Sequence, residues 1–365
     1  MPAHIALPAI VLPDHLIATD EICADIRRAN PDRPRLEAHL RIARATTVRT
    51  RRFTRPLDAP TVAGNATVEE RNRAAYEDAL RLAVRSGRRA LAHAGLAPDD
   101  IDCVITSHTT SWTVPSLDVA LVRELGLRPD VRRVHLSTVG CAGGAHSLVR
   151  AHEDIAAHPG SHVLVVVSEC LSTATYNHTD TSRESMIYKV LFGDGSGAVV
   201  VSDTPAWSGP SFVIEDTFEY VLPDSIDRYR GRLTAAGLHF DSTAAATTAL
   251  SDSLPAVRKW LGGSGRALEF AVVHPGGPRI LEDAAAGFGL DGDRDHGDLR
   301  HAWASLAANG NLGGSAVLDV LARTFAQAPG DRQSGLIIGF GPGFVLAASR
   351  GHWSAGAEAP RTGSS

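Results

Sequence analysis

The chain has 365 residues, 44% of them hydrophobic and 21% charged, which suits a folded globular protein of one large domain or two fused halves. Its net charge of -5 argues against a nucleic-acid binder. The four cysteines, Cys23, Cys103, Cys141 and Cys170, form no CxxC pair and no His/Cys group at zinc spacing, so a reduced, cytoplasmic protein without a bound metal is expected.

The start, MPAHIALPAIVLPDH, is apolar but broken by prolines and lacks a charged n-region, so no signal peptide is read there. No apolar run reaches membrane-spanning length, and no membrane partner is expected. In chain order, IDCVITSH (101–108) predicts a buried strand. SLDVALVREL (116–125) predicts a helix, with Pro115 before it and Ser116 as its N-cap. VRRVHLST (131–138) predicts a strand, and a helix follows Cys141 to about residue 157. HVLVVVSE (162–169) is a continuous apolar run, as in the middle of a two-sided sheet. GAVVVSD (197–203) predicts a further strand.

The second half repeats this order. A strand over 269–274 precedes a helix over 279–289, and GNLGGSAVLDVLARTFA (310–326) reads as a loop entering a helix. Strands at 335–340 and 344–349 are joined by a Gly-Pro-Gly turn. Alternating strands and helices make this an α/β fold. The expected division is 1–205, 206–350 and a disordered tail over 351–365.

Two segments lie on each other directly. Gly140-Cys141-Ala142-Gly143-Gly144-Ala145 opens one helix and Gly310-Asn311-Leu312-Gly313-Gly314-Ser315 opens the other. An apolar strand follows each helix, which suggests an internal duplication with a long period. If the halves meet about a pseudo-twofold axis, the two helix N-termini face each other and Cys141 comes near Asn311.

A cysteine at a helix N-terminus feels the positive end of the helix dipole and free N–H groups, both of which favour the nucleophilic thiolate. A small buried hydrophobe is the competing reading of Cys141. His274 ends an apolar strand before a Pro-Gly-Gly-Pro turn, where α/β sheets place catalytic groups. A surface or capped histidine is the competing reading there, and simple turn chemistry is the competing reading of Asn311. Gly339, Gly341 and Gly343 are not a dinucleotide fingerprint, because no helix follows; a turn there could aim a backbone N–H into a site.

Five stretches together carry a resemblance: GCAGG at 140–144, LFGDG at 191–195, HPGGPRIL at 274–281, WASLAANGNLGGSAVLD at 303–319 and GFGPG at 339–343. In this order and spacing they resemble the type III polyketide synthases, the chalcone synthase-like enzymes of the thiolase superfamily, from about residue 5 to about residue 350. The resemblance implies a five-layered αβαβα thiolase fold built from two pseudo-repeated halves, and a homodimer. It implies that Cys141 takes the acyl starter as a thioester. His274 and Asn311 would hold the extender's thioester carbonyl while a malonyl group loses CO₂, and His274 would keep Cys141 ionised. The 339–343 loop would supply an oxyanion N–H.

The resemblance also assigns a pocket. Phe192 and Phe240 match two aromatic gatekeepers, although FDSTAAATTAL after Phe240 departs from the plant pattern. Thr109, Thr110 and Val114 match pocket-shaping positions, and Ala174 stands where plant enzymes carry Thr. Arg41, Arg44 and Arg279 fall near phosphate-binding positions for CoA. No cofactor is implied; CoA thioesters are substrates, with acyl carrier protein as another means of delivery. The loop at Thr109 and Thr110 lacks the cysteine often found in naphthalene-forming members, which points to a short polyketide released as an α-pyrone, similar to germicidin-type enzymes. A 3-oxoacyl-ACP synthase of the fatty-acid-initiating type shares Cys-His-Asn, but typically carries His-Gln-Ala-Asn where this chain has HPGGP. A non-catalytic thiolase-fold subunit would usually have lost one of the three residues.

Overall fold

A computed structural model describes residues 1–178, 180, 182–262 and 265–356. The first half contributes β1 (Ala3–Ile5), β2 (Ala9–Val11), β3 (His15–Ala18), α1 (Thr19–Ala29), α2 (Leu36–Arg44), β4 (Thr50–Phe53) and α3 (Pro60–Ala63). Then come α4 (Val68–Ala94), β5 (Cys103–His108), α5 (Leu117–Leu125), β6 (Arg132–Ser137), α6 (Gly143–Ala157), β7 (His162–Glu169), α7 (Leu171–Thr175), α8 (Arg183–Leu191) and β8 (Gly195–Ser202). The second half contributes β9 (Ser211–Val221), β10 (Tyr229–Thr234), β11 (Gly237–Ser242), α9 (Ala249–Gly262), β12 (Phe270–Val273) and α10 (Pro278–Phe288). It ends with α11 (Arg300–Asn309), α12 (Ala316–Ala326), β13 (Ser334–Gly341) and β14 (Val345–Ser354).

The valine-rich β7 is buried from Val163 onward because β5 flanks it on one side, β8 on the other, and helices cover both faces. The sheet runs β12-β13-β14-β9-β1-β8-β7-β5-β6, with β2 beside β8. Its halves repeat each other in direction. β5 lies parallel to β7, β7 antiparallel to β8, and β8 antiparallel to β1. β12 lies parallel to β13, β13 antiparallel to β14, and β14 antiparallel to β9. Antiparallel pairing of β1 with β9 joins them.

Helices α6 and α12 sit between the half-sheets: α6 touches β5 and β7 on one side and β13 and β14 on the other, and α12 touches β8 and β12. Helix α4 covers β7 and β8 from outside, while α9 and α11 cover β9 and β12. These are the five αβαβα layers of the thiolase fold expected from the sequence. The long α4 starts with a capping box, Thr67 accepting from the Glu70 N–H and Glu70 from the Thr67 N–H, and stops at Gly95 in the left-handed region.

Two details differ from the sequence reading. Ser116 does precede α5, but its hydroxyl bonds Asp118 and caps no helix N–H. Strand β14 continues through Ser354, with Trp353 buried against Phe325, so the expected tail from 351 starts too early. The rest of that tail, 357–365, lies outside the described residues.

The expected meeting of the two glycine-rich helix starts is found. Gly140 and Gly310, at matching positions, both have positive φ, 58° and 67°, which favours glycine. A Cβ on Gly144 would stand 2.3 Å from the Gly314 carbonyl oxygen. Replacing Gly144 with alanine therefore forces the two turns apart, and should cost about 1–3 kcal/mol of stability, as overpacking does. Thermal denaturation followed by circular dichroism reads this; a melting temperature equal to the parent's would contradict the close approach.

Candidate active site

Strand β6 leads into a single helical turn, Gly140–Ala142, and then into α6, which places Cys141 at the start of a helix. Gly140 makes the turn, and its N–H donates to Thr109 Oγ1 at 3.0 Å. The Cys141 sulfur lies 3.7 Å from Asn311 Nδ2 and 3.8 Å from Asn311 Oδ1. The Gly313 N–H donates to Asn311 Oδ1 at 2.9 Å, which fixes the amide's orientation and leaves Nδ2 as the donor toward sulfur. The Asn311 backbone is pinned as well: its N–H donates to Leu191 O and its carbonyl accepts from the Gly193 N–H.

His274 continues β12. Its N–H donates to Ile338 O at 2.9 Å, and its carbonyl accepts from the Gly276 N–H. Both ring nitrogens are buried without a partner among the described residues. Buried polar groups are normally paired, so an unpartnered imidazole suits a group that meets a substrate. Cys141, His274 and Asn311 all line one cavity of about 300 Å³.

Burial pushes the Cys141 thiol up to about 12, against the lowering effect of the Asn311 hydrogen bond. Burial also pushes His274 down to about 3. Each shift is the cost of one uncompensated charge at a buried position. The sequence reading has His274 holding Cys141 ionised; desolvation works against either charge forming alone. Transfer of the proton from sulfur to imidazole creates two opposite charges, whose mutual attraction offsets part of that cost.

Four rings form a wall beside these residues. Tyr188 stacks on Phe192 with centroids 5.0 Å apart, Phe240 meets Phe192 edge-on at 5.6 Å, and Tyr229 stacks on Phe240 at 5.5 Å. Tyr188, Phe192 and Tyr229 line the cavity of Cys141. Phe240 lines a second, mainly apolar cavity of about 650 Å³.

Comparison with known proteins now decides the family. Residues 6–205 match the family model described as chalcone and stilbene synthases, N-terminal domain. The chain is 32% identical to a 1,3,6,8-tetrahydroxynaphthalene synthase of Streptomyces coelicolor, over 96% of this chain and 92% of that protein. It is 28% identical to a phloroglucinol synthase of Pseudomonas fluorescens, over 96% of this chain and 99% of that protein. This chain belongs to the type III polyketide synthases. The solved 1,3,6,8-tetrahydroxynaphthalene synthase of Streptomyces coelicolor has a TM-score of 0.89 to this structure at 31% identity, covering 96% of this chain and 99% of that one. Germicidin synthase of the same organism has a TM-score of 0.89 at 29% identity, covering 97% of this chain and 100% of that one. The fatty-acid-initiating alternative is not favoured.

In this type III polyketide synthase the expected pocket residues divide. Phe192 lines the first cavity, and Thr109 and Phe240 line the second. Thr110 does not face either: it is buried, and its Oγ1 accepts the Cys170 N–H at 3.0 Å. Ala174 packs in the core of α7 and lines neither cavity, because the helix turns Thr175 outward toward a separate polar pocket. Val114 is fully exposed and lines neither, although Thr109 and Trp112 of the same loop line the second.

The glycine loop also divides. Gly341 lines the Cys141 cavity and passes close to the Ala142 N–H. Gly339 instead lets β13 approach Ala145 of α6, where a Cβ would lie 2.8 Å away, and Gly343 turns at φ 71° beside the second cavity. Arg279 lines the first cavity at its exposed side, paired with Asp283. Arg41 and Arg44 line neither; Arg44 pairs with Asp20, and the cavity residue Thr46 follows two positions later. Among the described residues no His/Cys/Asp/Glu group is placed to hold a metal, and no helix is long and apolar enough to cross a membrane.

Tyr188, Tyr229 and Glu169 were not singled out in the sequence. Tyr188 had a signal: it stands four residues before Phe192, one helical turn away. Tyr229 had none, because its strand reads as an arginine-rich polar run.

Proposed function

We propose that this polyketide synthase joins malonyl-type units iteratively to an acyl starter held on Cys141, with the nucleophile from the 1–205 half and His274 and Asn311 from the 206–350 half. The observation that carries the reading is the Asn311 amide donor 3.7 Å from the Cys141 sulfur, in the cavity that also holds an unpartnered His274. The sulfur passes its proton to His274 and attacks the starter's thioester carbonyl. The S–acyl bond forms, the bond to CoA breaks, and CoA leaves as the thiol with the His274 proton. Malonyl-CoA then enters with its thioester carbonyl toward Asn311 Nδ2 and His274. Breakage of its C–CO₂⁻ bond leaves the electron pair as an enolate, which those two donors stabilise; such donors contribute roughly 3–4 kcal/mol each to a developing oxyanion. The enolate carbon attacks the acyl carbonyl and the bond to Cys141 breaks, leaving a chain two carbons longer on CoA and a Cys141 thiolate. For the next round that thiolate attacks the new thioester, the S–acyl bond re-forms, and CoA leaves as a thiolate that takes a proton from solvent.

Arg279, with Arg41 and Arg44, would meet the CoA phosphates; the Arg44–Asp20 pair is exposed and exchanges easily. The second cavity, behind the Phe192–Phe240 wall, would take the growing chain. A homodimer would cover Val114 and half-exposed Trp112. Thr109 and Thr110 use their hydroxyl oxygens to accept backbone N–H groups, and neither supplies a second thiol. Release therefore needs only a chain enol oxygen attacking the thioester, which forms an α-pyrone and frees the sulfur.

Mass spectrometry of the products from malonyl-CoA with a panel of acyl-CoA starters tests this, without added carrier protein. Tri- or tetraketide pyrones are expected. An aromatic product from malonyl-CoA alone would refute the pyrone release, and a single 3-oxoacyl product would refute iteration.

A further inference from the structure

Glu169 closes β7 with its side chain 1% exposed, and the scheme above gives it no role. Its Oε2 accepts the Thr109 N–H at 3.1 Å. Thr109 Oγ1 in turn accepts the N–H of Gly140, the residue that turns the chain into Cys141. On its other flank Glu169 Cγ lies under Gly313, where a Cβ would come within 3.1 Å. The Gly313 N–H is the group that holds the Asn311 amide. One side chain thus touches the supports of both residues that meet at the sulfur. Its Oε1 is buried without a partner among the described residues.

We propose that Glu169 is a positioning residue of the condensation site: it braces the Cys141 turn against the Asn311 turn, and its charge sets how readily the Cys141 thiol ionises. The proposal rests on Cys141 being the nucleophile.

Burial pushes the Glu169 carboxyl up to about 8, against the lowering effect of the neighbouring Thr109 and Thr110. It is a carboxylic acid at neutral pH and a carboxylate above about 8, and the carboxylate's field raises the Cys141 thiol further. The titratable groups facing it are His108 on β5, whose Nδ1 is 4.0 Å away, and the thiols of Cys141 and Cys170. His108 is pushed down to about 4 by burial, and its Nδ1–H donates to Ser168 O. Near pH 8 none of the three is a cation that would offset the new charge.

Iodoacetamide labelling of Cys141 in the full chain, read by peptide mass against pH and without CoA substrates, separates the two parts. In the wild type, labelling should fall by about threefold between about pH 7 and about pH 9 as Glu169 ionises. Glu169→Gln keeps an oxygen for the Thr109 N–H but removes the charge, so the fall should vanish. Thr109→Val cuts the link to Gly140 with the charge kept. The fall should persist there, while kcat for condensation drops by about tenfold at little change in KM, and Thr109→Ser should restore it. A Glu169→Gln profile identical to wild type would overturn the electrostatic role, and wild-type kcat in Thr109→Val would overturn the brace. If Cys141 of the wild type takes no label at any pH, the nucleophile reading fails first and the proposal with it.

Discussion

With Cys141 replaced by alanine, the protein should fold, keep the wild type's mass in solution, and make no polyketide. The substitution removes one sulfur from a buried site and leaves the Gly140 turn, the Thr109 bond and the Gly144–Gly314 contact in place. Its stability cost should stay within about 1–2 kcal/mol. Activity should fall much further, by about 10⁴-fold or more in kcat, because among the described residues no other thiol lines the cavity. The three remaining thiols, Cys23, Cys103 and Cys170, are fully buried in core clusters away from the cavity lining. One partial reaction should survive. In the scheme proposed above decarboxylation of malonyl-CoA draws on His274 and Asn311, so CO₂ release should continue in the variant while no carbon–carbon bond forms. Loss of both reactions together with a change in that mass would mean that Cys141 is a packing residue, and retained polyketide formation would remove it from the chemistry altogether.

The duplication was legible because glycine leaves a mark that other residues do not. Gly140 and Gly310 are needed where the backbone turns through positive φ, and Gly144 and Gly314 where two backbones touch. The same six-residue pattern therefore appears twice, and the juxtaposition of Cys141 with Asn311 follows from it. His274 was legible for a related reason, since an apolar strand that stops at Pro-Gly-Gly-Pro must present its last residue at the sheet's end. The pocket was harder. Thr110 and Thr109 are neighbours in the chain, but successive side chains point to different sides, so one hydroxyl supports the Cys141 turn while the other is buried against Cys170. Ala174 and Thr175 were divided by one residue of helix rotation. The hairpin of β10 and β11 gave no sign of holding Tyr229 and Phe240 beside the nucleophile, because its outward face carries Arg230, Arg232 and Asp241. Glu169 ends the apolar run of β7, and only its burial separates it from a surface carboxylate.

Replacing His274 with glutamine should change how Cys141 responds to pH more than it changes the fold. Glutamine can still donate a hydrogen bond toward a thioester carbonyl, but it cannot take a proton. In the wild type a lone thiolate forms only as pH rises toward about 12, and a lone imidazolium only as pH falls toward about 3. Between those limits the proposed scheme keeps the net proton count of the Cys141–His274 pair, and has the sulfur become a nucleophile by passing its proton to the ring. Its alkylation should therefore show no steep alkaline rise across the neutral range, apart from the shallow fall assigned to Glu169. In His274→Gln that internal acceptor is gone, and the thiol must lose its proton to solvent from a buried site. Iodoacetamide labelling near pH 7 should drop by about 10²-fold and then climb by about tenfold per pH unit. The slope separates the loss of a base from a distorted pocket, which would lower the rate equally at every pH. Malonyl-CoA decarboxylation gives a second reading of the same variant: the amide should keep part of it, since Asn311 Nδ2 remains in place and one neutral donor replaces another. A labelling profile in His274→Gln that matches the wild type would show that the helix N-terminus and Asn311 activate the sulfur by themselves, and that His274 serves only the extender.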